Sequence, residues 1–154
     1  MSRTIHEIMK KAEGRYLTSE ESKKVMDAGR EYERLLAISR LVEQHESEIV
    51  RQTVERVFQK FPKFHADRPQ SHEKAVRDIS LVLRYASLAM VNSDPEMLRE
   101  KLLYWLRTIL KAMEFGDVTK YTYETLQESV TKALPQPDAE EVNKYVRIAV
   151  EVLA

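Results

Sequence analysis

The sequence contains no cysteine, only three glycines and five prolines among 154 residues, and no excess of charge of either sign. The absence of cysteine excludes disulfides, thiolate metal sites, thiol nucleophiles and cofactors attached through a thioether. The scarcity of glycine and proline excludes glycine-rich phosphate loops and all-β folds dense in turns. Because 25 basic residues balance 25 acidic residues, the chain lacks the basic excess that nucleic-acid binding requires.

Long hydrophobic runs are also absent. No uncharged run approaches the roughly 20 apolar residues that a membrane-spanning helix needs. The first residues are charged throughout and have no unbroken apolar stretch, so they do not form a signal peptide. We therefore expect a cytoplasmic protein, and its 43% of apolar residues predicts one globular domain with a single core.

Helical periodicity dominates the sequence. Near the N-terminus, the spacing i, i+3, i+4, i+7 is occupied by four apolar residues, which are Ile5, Ile8, Met9 and Ala12. This spacing predicts a short amphipathic helix over residues 3–13 that ends at Gly14. Because so short a helix is marginally stable alone, we expect it to dock on another surface.

Similar patterns predict about six further helices and no strand, so the fold class is all-α, with the first helix lying apart from the core. Thr18 and Glu21 form a predicted capping box, Ser71 is a predicted N-cap, and Asp94 with Pro95 marks a further helix start. Residues 62–70 are predicted to be a loop. The predicted helices cover about 18–45, 49–61, 71–92, 95–116, 118–133 and 138–153.

Catalytic and metal-binding patterns are weak. No nucleophile lies in a recognisable motif with a base, which favours a protein that is not an enzyme. His65 and His72 flank Asp67 in one loop, but their spacing matches no strong ligand pattern, and solvated histidines are the favoured interpretation over a metal site. A haem globin places its proximal histidine on a later helix than the distal one, but no histidine follows His72 in this sequence. This absence disfavours haem as a cofactor. The other two histidines are His6 and His45.

One adjacent pair, Arg77 and Asp78, lies at the edge of an apolar helix face. At 100° per residue, Asp78 shares that face with Val82 and Tyr85. Arginine binds carboxylates through two parallel hydrogen bonds, so this pair suits a ligand that carries both a carboxylate and an N–H group. A simple surface ion pair is the alternative.

The stretch RDISLVLRYASLAMVNSD, which contains this pair, resembles the central helix of phycobiliproteins, the light-harvesting antenna subunits of cyanobacteria and red algae. The similarity is marked for the α-type chains of allophycocyanin. Four further segments resemble other helices of the family in the same order, and they are GRYLTSEESKKV, SEIVRQTVERVFQKFP, EKLLYWLRTILKAM and DAEEVNKYVRIAVEVL. The resemblance implies one globin-like domain over 1–154, with an N-terminal helical pairing extension at 1–16 and a globin-like body at 17–154.

In the family the N-terminal helices mediate the pairing of subunits. The resemblance therefore implies a partner interface at Ile5, Ile8 and Met9, with a phycobiliprotein-like subunit or a second copy of this chain as the partner. It also implies a place in the phycobilisome, in photosynthetic light harvesting, at the cytoplasmic face of the thylakoid membrane.

The sequence departs from the family at the pigment. The family attaches its linear tetrapyrrole, a bilin, to a cysteine two residues before the Arg-Asp pair, and Ala75 stands at that position. The loop before this helix is also shorter than in the family. The resemblance nonetheless implies cofactor-binding roles for Arg77 with a propionate and for Asp78 with pyrrole nitrogens, and Arg84 and Tyr85 follow at matching spacing.

Two functions remain open at this point, because the near-full-length resemblance disfavours a third, an unrelated helical adaptor. The first is an antenna subunit that holds a bilin without a covalent bond, with aliphatic residues around Ile109 and Leu110 covering the pigment. The second is a pigment-free phycobiliprotein paralogue that acts through protein–protein contacts in antenna assembly, turnover or regulation.

Overall fold

Strong local start and stop signals divide the chain into helices. The computed structural model describes residues 3–66 and 70–154, and within these residues it is helical almost throughout and contains no strand. The elements are α1 (Arg3–Lys11), α2 (Ser19–Lys60), α3 (Pro62–Ala66), α4 (Ser71–Asn92), α5 (Pro95–Leu98), a π-helical segment (Arg99–Leu103), α6 (Tyr104–Ala112), α7 (Gly116–Ala133) and α8 (Gln136–Leu153).

Helix α2 begins at the predicted capping box. The hydroxyl of Thr18 accepts the N–H of Glu21 at 3.1 Å, and the Glu21 carboxylate accepts the N–H of Thr18 at 2.9 Å. The predicted break near His45 is wrong, because α2 continues as one helix of 42 residues. The sequence around His45 contains neither proline nor glycine, and its ring bonds to the carbonyl of Leu41 in the same helix at 2.9 Å.

Three further predictions differ from the structure. The loop predicted over residues 62–70 is wrong in its first part, where Pro62 starts the short helix α3 instead of only ending α2. Ser71 is the first residue of α4 rather than its cap, since Gln70 precedes it in the left-handed conformation (φ 69°) and makes no side-chain cap. The predicted helix over 95–116 is interrupted, because the π-helical segment separates α5 from α6. Its predicted start is confirmed, as the Asp94 carboxylate accepts the N–H of Met97 at 3.2 Å.

The core lies where α4 packs against α2 and α8, while α7 packs against α2 and α8. Its fully buried side chains are aliphatic, including Leu83 and Met90 of α4, Leu103 at the end of the π-helical segment, and Val146 of α8. This arrangement of amphipathic helices around one apolar centre is the all-α fold that the periodicity predicted.

The N-terminal part of the chain lies outside this core. Helix α1 packs against α2 but buries none of its own residues, and the first α2 residues that contact the core are Tyr32 and Leu35. We call residues 3–31 the N-terminal hairpin. Its turn requires Gly14, which has a φ of 83°, and the predicted boundary between residues 16 and 17 falls in this turn.

Candidate functional site

A cleft of about 660 Å³ opens between α4, α6 and α7. Its volume lies within the range of about 300–1,000 Å³ that is typical of small-molecule and cofactor sites. Apolar side chains form most of its wall, and they are Val57, Phe64, Ala75, Ile79, Ile109, Leu110, Met113, Phe115 and Val118. Polar side chains interrupt that wall at seven positions, which are Ser71, Lys74, Arg77, Asp78, Thr119, Thr122 and Tyr123.

Helix α4 supplies the charged part of the cleft through its regular repeat. Its lining residues recur at i, i+3, i+4, i+7 and i+8 along one helix face, with Arg77 beside them, and they are Ser71, Lys74, Ala75, Asp78 and Ile79. The same face that contributes a core contact at Ile79 therefore brings Asp78 and Lys74 to the rim, and Arg77 adds a second cation beside it.

The predicted pair, Arg77 and Asp78, lies together at this rim. The Nε of Arg77 donates a hydrogen bond to Oδ1 of Asp78 at 3.1 Å, and the Arg77 side chain is 63% exposed whereas that of Asp78 is 21% exposed. The second oxygen of Asp78, Oδ2, accepts no hydrogen bond within the described residues. Together with Lys74, the charged lining carries one net positive charge, which favours an anionic ligand.

Arg84 and Tyr85 do not line the cleft. Arg84 lies two turns farther along α4 than Arg77, where α2 is the neighbouring helix, and it forms two hydrogen bonds with Glu46 of α2 at 2.6 and 2.8 Å. Tyr85 is half-buried and packs against the core. The structure therefore brings Arg77 and Asp78 to the cleft and leaves Arg84 and Tyr85 outside it.

Helix α7 contributes polar groups that sequence reasoning did not identify. Tyr123 lines the cleft and is only 3% exposed, and its hydroxyl makes no hydrogen bond with any described residue. Burial raises the pKa of Tyr123 above its usual value, and the negative charge of Asp78 raises it further. Thr119 lies one turn before Tyr123 on the same face. That spacing is visible in the sequence, but only the folded structure shows that α7 and α4 line the same cleft.

Aromatic rings form the end of the cleft near α3. Phe64 and Phe115 meet edge to face with ring centroids 4.9 Å apart, and Phe58 lies behind them, 5.6 Å from the ring of His72. The side chain of His65 and the whole of Asp67 lie outside the described residues, and no cluster of three potential metal ligands occurs within those residues.

The predicted interface residues occupy the N-terminal hairpin. Ile5 and Ile8 are half-buried, whereas Met9 is 43% exposed. Two further apolar side chains of the hairpin face solvent, since Tyr16 is 97% and Met26 is 58% exposed. The hairpin thus presents an uncovered apolar surface on the side of the molecule that does not contribute to the core.

A protein-family model described as "Phycobilisome protein" matches residues 9–153. The chain belongs to the phycobilisome protein family. This confirms the predicted family, and with it the globin-like all-α fold with an N-terminal helical extension. No curated protein matches the chain.

Family membership gives the cleft a context. Phycobilisome proteins serve light harvesting and carry bilins, yet this chain offers no sulfur for a thioether, and Ala75 lies in the cleft wall beside Arg77 and Asp78. The residues of the cleft are compatible with a bilin that is held only by charge, hydrogen bonds and apolar contact. None of the described helices is both long and apolar enough to cross a membrane.

Proposed function

We propose that this phycobilisome protein works in the photosynthetic antenna and holds a linear tetrapyrrole non-covalently in the cleft between α4, α6 and α7. The observation that carries the proposal is the joint placement of Arg77, Asp78 and Ala75 on the wall of one apolar cleft of about 660 Å³. A linear tetrapyrrole is elongated and carries propionates and pyrrole N–H groups. It therefore matches both the charge and the apolar character of the cleft wall.

Each charged group has a proposed role. Arg77 and Lys74, the two cations of the cleft, pair with the propionates, because charge-assisted hydrogen bonds to carboxylates are the stronger kind. Asp78 accepts pyrrole N–H groups through Oδ2, which has no partner within the described residues. Arg77 also holds Asp78 in place through the bond at Oδ1.

The energies permit weak to moderate binding. One charge-assisted hydrogen bond contributes about 1.5–3 kcal/mol, and burying about 300 Å² of apolar ligand surface contributes about 7–8 kcal/mol. Loss of ligand freedom costs at least about 4 kcal/mol. With two such bonds, one from Arg77 and one from Asp78, the balance is about 6–10 kcal/mol. This range includes the roughly 8 kcal/mol that corresponds to a micromolar Kd, so we expect micromolar affinity and complete release of pigment in acid–urea.

Titration with biliverdin tests this proposal, because the chain carries its own reporter. Trp105 is the only tryptophan, and it lies one turn before Ile109 of the cleft wall. We expect saturable quenching of its fluorescence together with a change in the visible spectrum. Arg77→Ala and Asp78→Asn are each expected to weaken binding about tenfold, the effect of losing one charge-assisted bond.

Two control variants accompany that titration. Arg51→Ala removes an exposed arginine that pairs with Glu55 on α2, away from the cleft, and leaves affinity unchanged. Arg84→Ala is the second control. The family resemblance implies that Arg84 binds the cofactor, but in the structure Arg84 pairs with Glu46 outside the cleft. We therefore expect its loss to leave the affinity unchanged. A wild-type titration without saturable change would contradict the pigment role.

The uncovered apolar surface of the N-terminal hairpin favours a second candidate function. In this alternative the protein is a pigment-free paralogue that acts through contacts in antenna assembly, turnover or regulation. Ile5, Ile8 and Met9 form the proposed interface, and the partner is a phycobiliprotein-like subunit or a second copy in a dimer. An exposed apolar surface of this kind is typical of a protein interface. Sedimentation of the pure protein and of mixtures with phycobiliprotein subunits tests this candidate.

Both candidates place the protein at the antenna, which lies at the cytoplasmic face of the thylakoid membrane. Fractionation of cell extracts tests this location. We expect the chain to co-fractionate with phycobilisomes at high phosphate and to be released together with the phycobilisomes at low phosphate. Recovery in the soluble fraction under both conditions would contradict it.

A further inference from the structure

The chain contains one residue more than a regular helix needs between α5 and α6. In the π-helical segment, the N–H of Tyr104 donates its hydrogen bond to the carbonyl of Arg99, which lies five residues earlier instead of four. Leu98 and Leu103 are both fully buried, although a regular α-helix would place side chains with this spacing about 140° apart. The π-helical segment therefore absorbs one residue and keeps both leucines in the core.

Helix α6 carries two apolar faces, and the π-helical segment decides which of them is buried. Leu106 is 2% exposed, and Leu110 is half-buried against the core. One position earlier in each case, Trp105 and Ile109 are also apolar, but they are 57% and 37% exposed. Because the two faces are offset by one residue, a rotation of about 100° exchanges them. We call the observed arrangement the π register.

A straight α-helix through the same residues would bury the other face, and we call that arrangement the straight register. Without the bond that spans five residues, α6 is rotated by about 100°, so Trp105 takes the place of Leu106. Ile109 takes the place of Leu110 in the same way. Since tryptophan is larger than leucine, it overpacks a core position that leucine fills. The straight register is therefore the less stable of the two.

We propose that α6 is a two-register element, which rotates between the π register and the straight register and thereby changes one wall of the cleft. In the π register, Ile109, Leu110 and Met113 line the cleft. In the straight register, Thr108 takes the place of Ile109, and Ala112 likewise replaces the methionine side chain. The wall then becomes smaller and more polar. A ligand that contacts the apolar wall consequently selects the π register, whatever the identity of that ligand.

Single cysteines can detect this rotation, because the sequence contains no native cysteine. Leu106→Cys places a thiol on the buried face of α6, and Leu83→Cys places one at a fully buried position of α4. The rate of reaction with a thiol reagent under native conditions reports how often each side chain reaches solvent. Rotation of α6 exposes residue 106 without unfolding the core. After correction for the stability of each variant in urea, we expect Leu106→Cys to react at least about tenfold faster than Leu83→Cys.

Deletion of Glu100 removes the extra residue and with it the choice between registers. With one residue fewer, a straight α-helix already buries Leu106 and exposes Trp105. Glu100 is exposed, so its deletion removes no core side chain. We expect the deletion to slow the reaction of Leu106→Cys at least about tenfold and to leave that of Leu83→Cys unchanged. Glu100→Ala is the matched control, because it keeps the extra residue and therefore the fast reaction.

Equal protection of the two cysteines in the undeleted chain would overturn the two-register inference. So would a deletion that leaves Leu106→Cys as reactive as before. Deletion of Lys101, which is also exposed, repeats the test if the first deletion variant does not fold. If circular dichroism shows that neither deletion variant folds, the fold itself requires the extra residue and the inference is overturned as well. None of these outcomes bears on pigment binding, which the biliverdin titration tests separately.

Discussion

The N-terminal hairpin and the cleft both leave apolar surface uncovered, but they do so with opposite shapes. In the hairpin, Met9, Tyr16 and Met26 project into solvent, and α1 buries none of its residues. In the cleft, Ile109 and Met113 face a concave space whose rim carries Arg77 and Asp78. Projecting apolar side chains suit the broad surface of another protein, whereas a concave apolar wall with few charges suits a small molecule. The comparison therefore supports the proposed partner site on the hairpin and the proposed pigment site in the cleft, which lie in separate parts of the molecule.

The largest expected effect concerns association through the hairpin. Ile5→Asp combined with Ile8→Asp places two charges on the proposed interface, where burial of two isoleucines contributes about 3–6 kcal/mol. We expect the Kd for the partner to rise at least about a hundredfold, measured by sedimentation velocity. The double variant should bind biliverdin as wild type does. If the double variant associates with the partner as tightly as wild type does, the interface does not lie on α1.

A second test compares core and hairpin stability with matched leucines. Leu83→Ala removes a fully buried side chain at the centre of α4, and we expect a loss of about 2–5 kcal/mol in the free energy of unfolding. Leu17→Ala removes a half-buried side chain at the hairpin turn, with an expected loss below about 1.5 kcal/mol. Urea denaturation followed by circular dichroism measures both. Equal losses would show that the hairpin belongs to the core.

A smaller effect is expected at the start of α2. Thr18→Ala removes the cap hydroxyl that accepts the N–H of Glu21, and such losses cost about 1 kcal/mol. We expect faster amide exchange in the hairpin, with the amides of α4 and α8 unchanged. Ser19→Ala is the control, because Ser19 makes no cap bond. If amide exchange in α4 changed as much as exchange in the hairpin, the hairpin and the core would not be independent.

The smallest expected effect is a dependence on pH that is confined to the hairpin. The bond to Arg15, followed by the bond to the N–H of Thr18, lowers the pKa of Glu21 from 4.5 to about 2. A lowered carboxyl pKa stabilises the folded hairpin above pH 4.5, and that contribution is lost as the pH falls toward 2. The side chain of Glu21 is half-buried, but its partner Arg15 is 45% exposed, so solvent screening keeps the effect small. Amide exchange of hairpin residues between pH 5 and 2 measures it, and Glu21→Gln should abolish this part of the profile.

Local signals in the sequence predicted the helix starts at Thr18 and Asp94, because a cap is decided by residues three positions apart. The continuity of α2 through His45 was missed, since apolar spacing shifts there although nothing breaks the backbone. The π-helical segment over 99–103 was also missed, because no residue type marks it.

The candidate site was predictable only in part, for a similar reason. Arg77 and Asp78 are adjacent, so their common place on α4 follows from the sequence. Tyr123 reaches the same cleft from α7, and Arg84 pairs with Glu46 of α2. Both relations depend on how distant helices pack, which periodicity within one helix does not determine.

The unbroken course of α2 joins the two regions of the molecule. Met26 of α2 lines a depression on the hairpin and Val57 of the same helix lines the cleft. At 1.5 Å per residue they are about 46 Å apart along the axis. Because no loop interrupts α2 between these residues, the helix would hold a partner on the hairpin at a fixed distance and orientation from a pigment in the cleft. Excitation transfer between pigments depends steeply on both quantities, so this helix would fix the coupling of the pigment to its neighbours.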